Sequence, residues 1–163
     1  MSAQDPRNKF KTDNYEKQEQ EVPGIQAKMS PQPDCGEDSY HGHHRLDGFK
    51  ILVTGGDSAI GRAAAIAYAK EGADVAINYL PSEQQDADDV KQIIENVGQK
   101  AILIPGDIRD EQFNYDMVEE AYQQLGGLDN VTLVAGHQLY QDELSEFITQ
   151  AFTETFETNF YPV

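Results

Sequence analysis

The chain has little cysteine, little positive charge and no long apolar run. Cys35 is the only cysteine among the 163 residues, so an intrachain disulfide is excluded. The net charge is −17, from 12 basic and 29 acidic residues, which disfavours nucleic acids and anionic membranes as partners because both are polyanions. No stretch of about 18 apolar residues predicts a transmembrane helix, and the N-terminus MSAQDPRNKF lacks the apolar core of a signal peptide. We therefore expect a cytoplasmic protein with no nucleic-acid or membrane partner.

The first 47 residues differ in composition from the rest of the chain. They contain four of the seven prolines, three of the four histidines and no apolar run. This composition predicts an extended tail with turns and no helix over residues 1–47. The three tail histidines, His41, His43 and His44, match no regular zinc spacing and have no cysteine pair beside them. No metal site is predicted.

Residues 48–163 alternate short apolar stretches with helical patterns. Strands are predicted from KILVTG, DVAINYL, KAILIPGD and NVTLVAG, and helices from AIGRAAAIAYAKEG, SEQQDADDVKQIIENVG and DEQFNYDMVEEAYQQLGG. The second helix is expected to begin at Ser82 as its N-cap. A final helical pattern, ELSEFITQAFTETFETNFYPV, places Phe152, Phe156 and Phe160 on one face. Apolar strands that alternate with helices indicate an α/β fold, with a parallel sheet covered by helices on both sides.

A glycine-rich turn joins the first predicted strand to the first predicted helix. It reads TGGDSAIG, from Thr54 to Gly61. The start of a helix offers free N–H groups and the positive end of the helix dipole to a phosphate, and glycine lets the backbone approach a pyrophosphate closely. A tight turn that binds no ligand is the alternative. The position of the turn at the start of a βαβαβ run favours a dinucleotide site.

The residues that select a dinucleotide lie at the carboxyl ends of the strands. Asp74 has about the right spacing from the turn to contact a ribose, but it precedes the second strand and is expected at the opposite end of the sheet. Residues 78–80 read Asn-Tyr-Leu and offer neither a carboxylate for a ribose 2′-hydroxyl nor a cation for a 2′-phosphate, although Arg62 lies near the turn. The choice between NAD and NADP stays open. Asp107 either accepts a hydrogen bond from the adenine amino group or simply caps a helix or turn.

Several of these motifs resemble the short-chain dehydrogenases/reductases. VTGGDSAIGRA resembles their Thr-Gly-x-x-x-Gly-x-Gly motif, and PGD, ending at Asp107, resembles their adenine-contacting aspartate. ETNFY resembles the helix that carries their catalytic-site asparagine, which falls on Asn159. The tail segment VPGIQAKMSPQPDCGEDSYHGHHRLDG is similar to the N-terminal extension of a bacterial subgroup, the glucose-dehydrogenase-like and general-stress oxidoreductases. The resemblance extends from about Pro23 to the end of the chain.

The resemblance implies a Rossmann-type doubly wound parallel sheet, of which residues 48–163 supply an incomplete dinucleotide-binding domain with strand order 3-2-1-4. It implies NAD or NADP as the cofactor and an alcohol or carbonyl compound as the substrate of the complete enzyme. The implied catalytic-site residue is Asn159. The implied cofactor-binding residues are Thr54, Gly55, Ser58, Ala59, Ile60, Gly61, Asn78, Tyr79, Asp107, Ile108, Ala135 and Gly136.

Three departures from the family pattern affect these expectations. The middle glycine of the motif is Ala59, whose methyl group is expected to crowd the pyrophosphate. The family's Asn-Asn-Ala-Gly is replaced by residues 133–136, Leu-Val-Ala-Gly. Family members are also longer, and the strand with their catalytic serine and the Tyr-x-x-x-Lys helix have no counterpart here. The chain by itself is therefore expected to be inactive.

Two functions are compatible with these features. The first is the NAD(P)-binding portion of a short-chain oxidoreductase, and the second is a non-catalytic nucleotide-binding or interaction module that pairs with intact relatives. In both cases we expect a homo-oligomer, because the fourth strand would be an edge strand and the aromatic face of the last helix would be exposed. The resemblance further implies that the tail packs over a neighbouring subunit.

Overall fold

Four parallel strands form the centre of the computed structural model, which describes residues 5, 16–138, 140, 143, 145 and 148–162. The strands are β1 Lys50–Thr54, β2 Asp74–Tyr79, β3 Ala101–Pro105 and β4 Asn130–Leu133, in the order β3-β2-β1-β4. The α-helices are α1 Ala59–Lys70, α2 Gln84–Asn96, α3 Glu111–Leu125 and α4 Thr149–Asn159. Short 3-10 helices cover Gln26–Lys28 and Pro81–Glu83. The predicted α/β class and strand order are confirmed.

Successive residues of β1 and β2 pack on opposite faces of the sheet. Ile51 and Val53 belong to a core that also contains apolar residues of α1 and α2, whereas Leu52 packs with Met117 and Ala121 of α3. Alternation along a strand places neighbouring side chains on opposite faces, so a strand covered on both sides is apolar throughout. Helices α1 and α2 therefore cover one face of the sheet and α3 covers the other, as predicted.

The start of α3 follows local sequence signals, whereas the start of α2 differs from its prediction. Helix α3 begins after Asp110, whose carboxylate accepts hydrogen bonds from two N–H groups of the first turn, and ends at Gly126 with φ of 76°. The prediction that α2 begins at Ser82 is wrong. Pro81 starts a 3-10 turn that includes Ser82 and ends at Glu83, because the fixed φ of proline suits the first position of a helical turn. Helix α2 follows directly after that turn.

The strand at the β4 end of the sheet is poorly covered. Val131 is 42% exposed and Leu133 is 53% exposed, although the apolar pattern of NVTLVAG predicts burial on both faces. Within the described residues, β4 pairs only with β1 and forms an edge of the sheet, as its place in the strand order requires. Phe152 and Phe156 of α4 and Phe160 just beyond it are exposed, as predicted, and so is Tyr161. Helix α4 begins at Thr149, later than the pattern suggested, and residues 144, 146, 147 and 163 of that pattern lie outside the described part.

The described part of the tail packs along helix α1 of its own chain. Near the end of α1, the carboxylate of Glu71 accepts hydrogen bonds from the Tyr40 hydroxyl, from the Arg45 guanidinium and from the N–H groups of His43 and Arg45. These contacts, above all the one with Arg45, hold the pKa of Glu71 well below its usual range. The described part of the tail contains turns and the 3-10 helix Gln26–Lys28, and it contacts the domain at Asp86 and Glu71. The extent of the tail over residues 1–47 stays a prediction. Packing over a neighbouring subunit stays a prediction.

Candidate dinucleotide-binding site

A cleft of about 690 Å³ opens at the carboxyl ends of the strands. Its walls come from the turn between β1 and α1, the ends of β2 and β3, the segment after β4, helix α4 and tail residues 22–24. Parallel α/β sheets bind ligands at this end, beside the point where the strand order reverses. Within the described residues, no group of three metal-ligating side chains is found here or elsewhere.

The glycines of the first turn are required by close backbone contacts. A Cβ atom on Gly61 would lie 1.8 Å from the carbonyl oxygen of Gly55, so a larger residue would push helix α1 away from the turn. A Cβ atom on Gly56 would lie 2.6 Å from Cγ2 of Ile77, and Gly55 has φ of 61°. The turn is thereby held closely against the sheet, as the family motif implies.

Two amide groups at the start of α1 are available to a ligand. The N–H groups of Ile60 and Gly61 have no hydrogen-bond acceptor among the described residues, as expected for the first turn of a helix. Gly55, Ser58, Ala59, Ile60 and Gly61 all line the cleft. The predicted phosphate turn therefore lies at the cleft with unpaired donors.

Thr54 and Asn78 connect neighbouring strand ends instead of lending side chains to the cleft. The hydroxyl oxygen of Thr54 accepts hydrogen bonds from the N–H groups of residues 134–135, at 3.1 and 3.2 Å. The amide nitrogen of Asn78 donates to the carbonyl oxygens of Ile104 and Gly106, at 3.2 and 3.0 Å. Both side chains are buried. They fix the relative positions of the loops that form the cleft.

The other predicted cofactor positions also lie at the cleft, with different roles. Tyr79 is buried and its hydroxyl donates to the side-chain oxygen of Gln84 at 2.7 Å, so only its main chain remains for a ligand. Ile108, Ala135 and Gly136 line the cleft beside it. Asp74 lies at the opposite end of β2, opposite Lys50 in the strand register, as predicted.

Ala59 adopts an unusual backbone conformation. Its φ is 46°, in the left-handed region where glycine is favoured and a Cβ atom is strained. The amide oxygen of Gln26, from the tail, accepts a hydrogen bond from the Ala59 N–H at 2.7 Å. The sequence raised Ala59 only as a steric obstacle to pyrophosphate. The structure adds strain at this residue and a tail side chain bound to it.

Two buried carboxylates, Asp57 and Glu83, lie at the cleft although no role was predicted for either from the sequence. Asp57 and Glu83 both line the cleft, at 1% and 9% exposure. One oxygen of Asp57 has no hydrogen-bond partner among the described residues, and Glu83 accepts from the N–H of Leu80 at 3.2 Å. Burial, followed by the negative charge of Asp57, raises the pKa of Glu83 to about 7, and burial also raises the pKa of Asp57. The 3-10 turn places Glu83 just beyond the end of β2, where no carboxylate was expected.

The arginines near the cleft are paired with carboxylates. Asp107 accepts hydrogen bonds from Arg109 at 2.9 and 3.0 Å, and this contact lowers the pKa of Asp107. Arg62, considered from the sequence as a cation near the turn, is buried and forms ion pairs with Glu37 and Asp89 at 2.8 Å each. Arg62 therefore joins the tail to α2, and Arg109 is the arginine that lines the cleft.

Asn159 connects the last helix to the segment after β4. Its side-chain oxygen accepts a hydrogen bond from the His137 N–H at 2.7 Å, and its nitrogen donates to the His137 carbonyl oxygen at 2.8 Å. Asn159 is itself exposed. The structure places this predicted catalytic-site residue beside the cleft, where its side chain bonds to the backbone of His137.

The family profile described as short chain dehydrogenase matches residues 50–163. The chain belongs to the short-chain dehydrogenase family. It is 56% identical over 157 residues to the uncharacterised oxidoreductase YghA of Escherichia coli, covering 96% of this chain and 53% of that protein. It is 43% identical to general stress protein 39 of Bacillus subtilis, covering 85% of this chain and 48% of that protein. The match to YghA is long enough to include most of the tail.

Solved structures of dehydrogenases agree with the fold. A short chain dehydrogenase from Burkholderia cenocepacia, described in complex with NADP, has a TM-score of 0.62 at 36% identity. A dehydrogenase/reductase from Sinorhizobium meliloti has a TM-score of 0.66 at 36% identity. The matches cover 72% and 73% of this chain and 47% and 46% of those chains. This short-chain dehydrogenase sequence spans about half the length of the curated relatives it matches.

Proposed function

We propose that the chain binds NAD or NADP as the cofactor-binding portion of a short-chain oxidoreductase. The observation that carries the proposal is the convergence of the glycine turn, with unpaired N–H groups on Ile60 and Gly61, on a cleft at the carboxyl ends of β1, β2 and β3. A pyrophosphate fits this arrangement, because the turn is closely packed and the positive end of the α1 dipole faces the same region. The expected site of action is the cytoplasm.

Each part of the cleft suits one part of a dinucleotide. The N–H groups of Ile60 and Gly61 would donate to the pyrophosphate. The end of β3, with Asp107 and Ile108, would lie beside the adenine, and Ala135 and Gly136 would lie toward the nicotinamide. When bound, the nicotinamide supplies hydride transfer to or from an alcohol or carbonyl carbon. Asn159 would support the backbone next to that ring.

The buried carboxylates favour NAD over NADP in this proposal. Glu83 lies just beyond β2, where a Rossmann-type site holds the adenosine ribose, and Asp57, in the turn after β1, lines the same cleft. A carboxylate there can accept a hydrogen bond from the ribose 2′-hydroxyl, whereas a 2′-phosphate would bring like charges together. Arg109 is the arginine at the cleft that could favour a 2′-phosphate, and it is already paired with Asp107.

Calorimetric titration of the purified chain with NAD and with NADP tests the proposal. We expect saturable binding of both, with NAD binding more tightly at pH 8. Gly61→Ala should abolish binding, because its Cβ would overlap the Gly55 carbonyl oxygen. Gln92→Ala, at an exposed position of α2 away from the cleft, is the control and should leave binding unchanged. No heat of binding from either dinucleotide, with a folded chain by circular dichroism, would sink the proposal.

A second candidate is an interaction module that pairs with another copy or with intact relatives. The exposed edge β4 and the exposed aromatic side chains of α4 favour it, because unpaired strand edges and apolar patches promote association. Sedimentation analysis distinguishes it: we expect concentration-dependent self-association that weakens in Phe152→Ser/Phe160→Ser. If the chain is a monomer at all concentrations and binds dinucleotide, cofactor binding would be the one function supported.

A further inference from the structure

A tail segment beside the cleft is bound to helix α2. The N–H groups of Gln26 and Ala27 donate to the two carboxylate oxygens of Asp86 in α2, at 2.6 and 3.1 Å. Gln26 is only 7% exposed and Asp86 is 2% exposed, although the surrounding tail is largely exposed. One tail residue is therefore held rigidly in the domain, beside the start of α1.

From this anchor, the Gln26 side chain spans two groups. Its oxygen accepts from the Ala59 N–H at 2.7 Å, and its nitrogen donates to the sulfur of Cys35 at 3.4 Å. The orientation of the amide is thereby determined, with the acceptor toward helix α1. Ser58, the N-cap residue of α1, makes no capping hydrogen bond with its side chain. A cap side chain normally bonds the second or third N–H of a helix, whereas Gln26 bonds the first, that of Ala59, and leaves the next two free.

The hydrogen bond with Gln26 is made at the strained residue, Ala59. Ala59 has φ of 46°, and the next two N–H groups, on Ile60 and Gly61, are the unpaired donors of the cleft. An alanine in the left-handed region tends to relax toward negative φ, which would rotate the peptide groups that follow it. A change in φ also changes the orientation of the Ser58–Ala59 peptide group relative to α1. The hydrogen bond from the Ala59 N–H to Gln26 fixes that peptide group and so restrains the change.

The tail leaves the cleft open while it is bound there. Val22, Pro23 and Gly24 line the cleft, yet a volume of about 690 Å³ remains, within the range of ligand sites. Gln26 occupies the N–H of Ala59 and leaves those of Ile60 and Gly61 unpaired. The tail is thus positioned as a wall of the cleft and a support for its turn, and it does not fill the space.

We propose that Gln26 is a positioning residue for dinucleotide binding, which holds the strained Ala59 turn in its binding conformation from the N-terminal tail. The proposal rests on the dinucleotide site proposed above. It assigns a role in cofactor binding to the tail of the same chain, and it explains how the turn tolerates alanine at a position where glycine is favoured.

The test compares Gln26→Met, which keeps the side-chain length and removes the acceptor, with Gln18→Met. Gln18 is an exposed tail residue whose side chain, among the described residues, bonds to the backbone of Ser30. Calorimetry with NAD should show affinity reduced by about five- to tenfold in Gln26→Met and unchanged in Gln18→Met. The substitution should also speed hydrogen exchange of the Ala59 N–H in the absence of any dinucleotide.

Ala59→Gly provides the decisive comparison. Glycine adopts positive φ without strain, so in that background Gln26→Met should weaken NAD binding by about twofold or less. An undiminished loss in the Ala59→Gly background would overturn the proposal, because Gln26 would then act on something other than the strained turn. Tighter binding in Gln26→Met would also overturn it and show that the tail obstructs the cleft.

Failure of the dinucleotide site itself can be told apart from failure of this proposal. If the unsubstituted chain binds neither NAD nor NADP, the proposed function fails. In that case, hydrogen exchange tests whether Gln26 holds the turn in its conformation. Equal exchange of the Ala59 N–H in Gln26→Met and in the unsubstituted chain would reject it.

Discussion

The two sides of the sheet differ in how their segments are attached. On the β3 side, called the packed side below, strands β1 to β3 are covered on both faces. The tail is attached to α1 and α2 there by buried groups such as Gln26, Asp86 and Glu71. On the β4 side, apolar residues of the strand are half exposed, and α4 is attached through the exposed Asn159. The same α/β pattern in the sequence thus produces a well-packed side and a weakly attached side. Burial, more than the presence of secondary structure, determines where the stability of this chain resides.

Paired leucine substitutions should give the largest contrast between the two sides. Leu52 in β1 is fully buried, whereas Leu133 in β4 is 53% exposed. Leu52→Ala should reduce the free energy of unfolding by about 3 kcal/mol, because it removes buried surface and leaves a cavity. Leu133→Ala should cost less than about 1 kcal/mol. Urea denaturation measures both, and similar losses would contradict the proposed difference between the sides.

Glu83 should make the packed side sensitive to pH. Its pKa in the folded protein is about 7, above the ordinary glutamate value of 4.5, so the folded state binds more protons than the unfolded state between these values. The free energy of unfolding should therefore fall as pH rises from about 4.5 to 7 and should level off above that. Glu83→Gln keeps the acceptor for the Leu80 N–H and removes the charge, so it should raise stability at pH 8 by about 1–2 kcal/mol.

Thermal denaturation from pH 4.5 to 8 measures this effect. Glu120→Gln, at an exposed position of α3, is the control and should leave the pH dependence of the unsubstituted chain unchanged. Parallel curves for Glu83→Gln and the unsubstituted chain would show that Glu83 is not the group responsible.

Ala59 allows the strain at the cleft to be measured against an ordinary helical alanine. Ala59→Gly should stabilise the chain by about 0.5–1 kcal/mol, because relief of the left-handed strain exceeds the added entropy of the unfolded glycine. Ala64→Gly, in the middle of α1, should destabilise it by about 1 kcal/mol. Chemical denaturation of both variants checks the opposite signs. Destabilisation by Ala59→Gly would mean that Ala59 carries no strain.

Local patterns in the sequence were sufficient to predict the strands and helices of the packed side. They did not predict the contacts that attach the tail to it. Strand positions followed from apolar periodicity and the close packing at Gly61 from the glycine motif, whereas the strand order was implied by the resemblance to the short-chain dehydrogenases. The contact between Gln26 and Ala59 joins residues 33 positions apart, and no local pattern in the tail indicates it. Glu83 was missed because the 3-10 turn that begins at Pro81 brings it to the end of β2. The exposure of β4 depends on what lies beside it, which the pattern of its own residues does not contain.

Asn159 should show the smallest effect on overall stability and the clearest local one. Its two hydrogen bonds to His137 attach α4 at an exposed position, so Asn159→Ala should change the free energy of unfolding by less than about 0.5 kcal/mol. Hydrogen exchange should nevertheless speed up at the His137 N–H and throughout α4, while α1 and the tail keep their protection. Asn159→Asp is a matched variant, because it keeps the acceptor for the His137 N–H and loses the donor to the carbonyl oxygen. It should therefore lie between the alanine variant and the unsubstituted chain. If exchange accelerated equally in α1, the two sides would unfold as one unit, and the weak attachment inferred for the β4 side would be wrong.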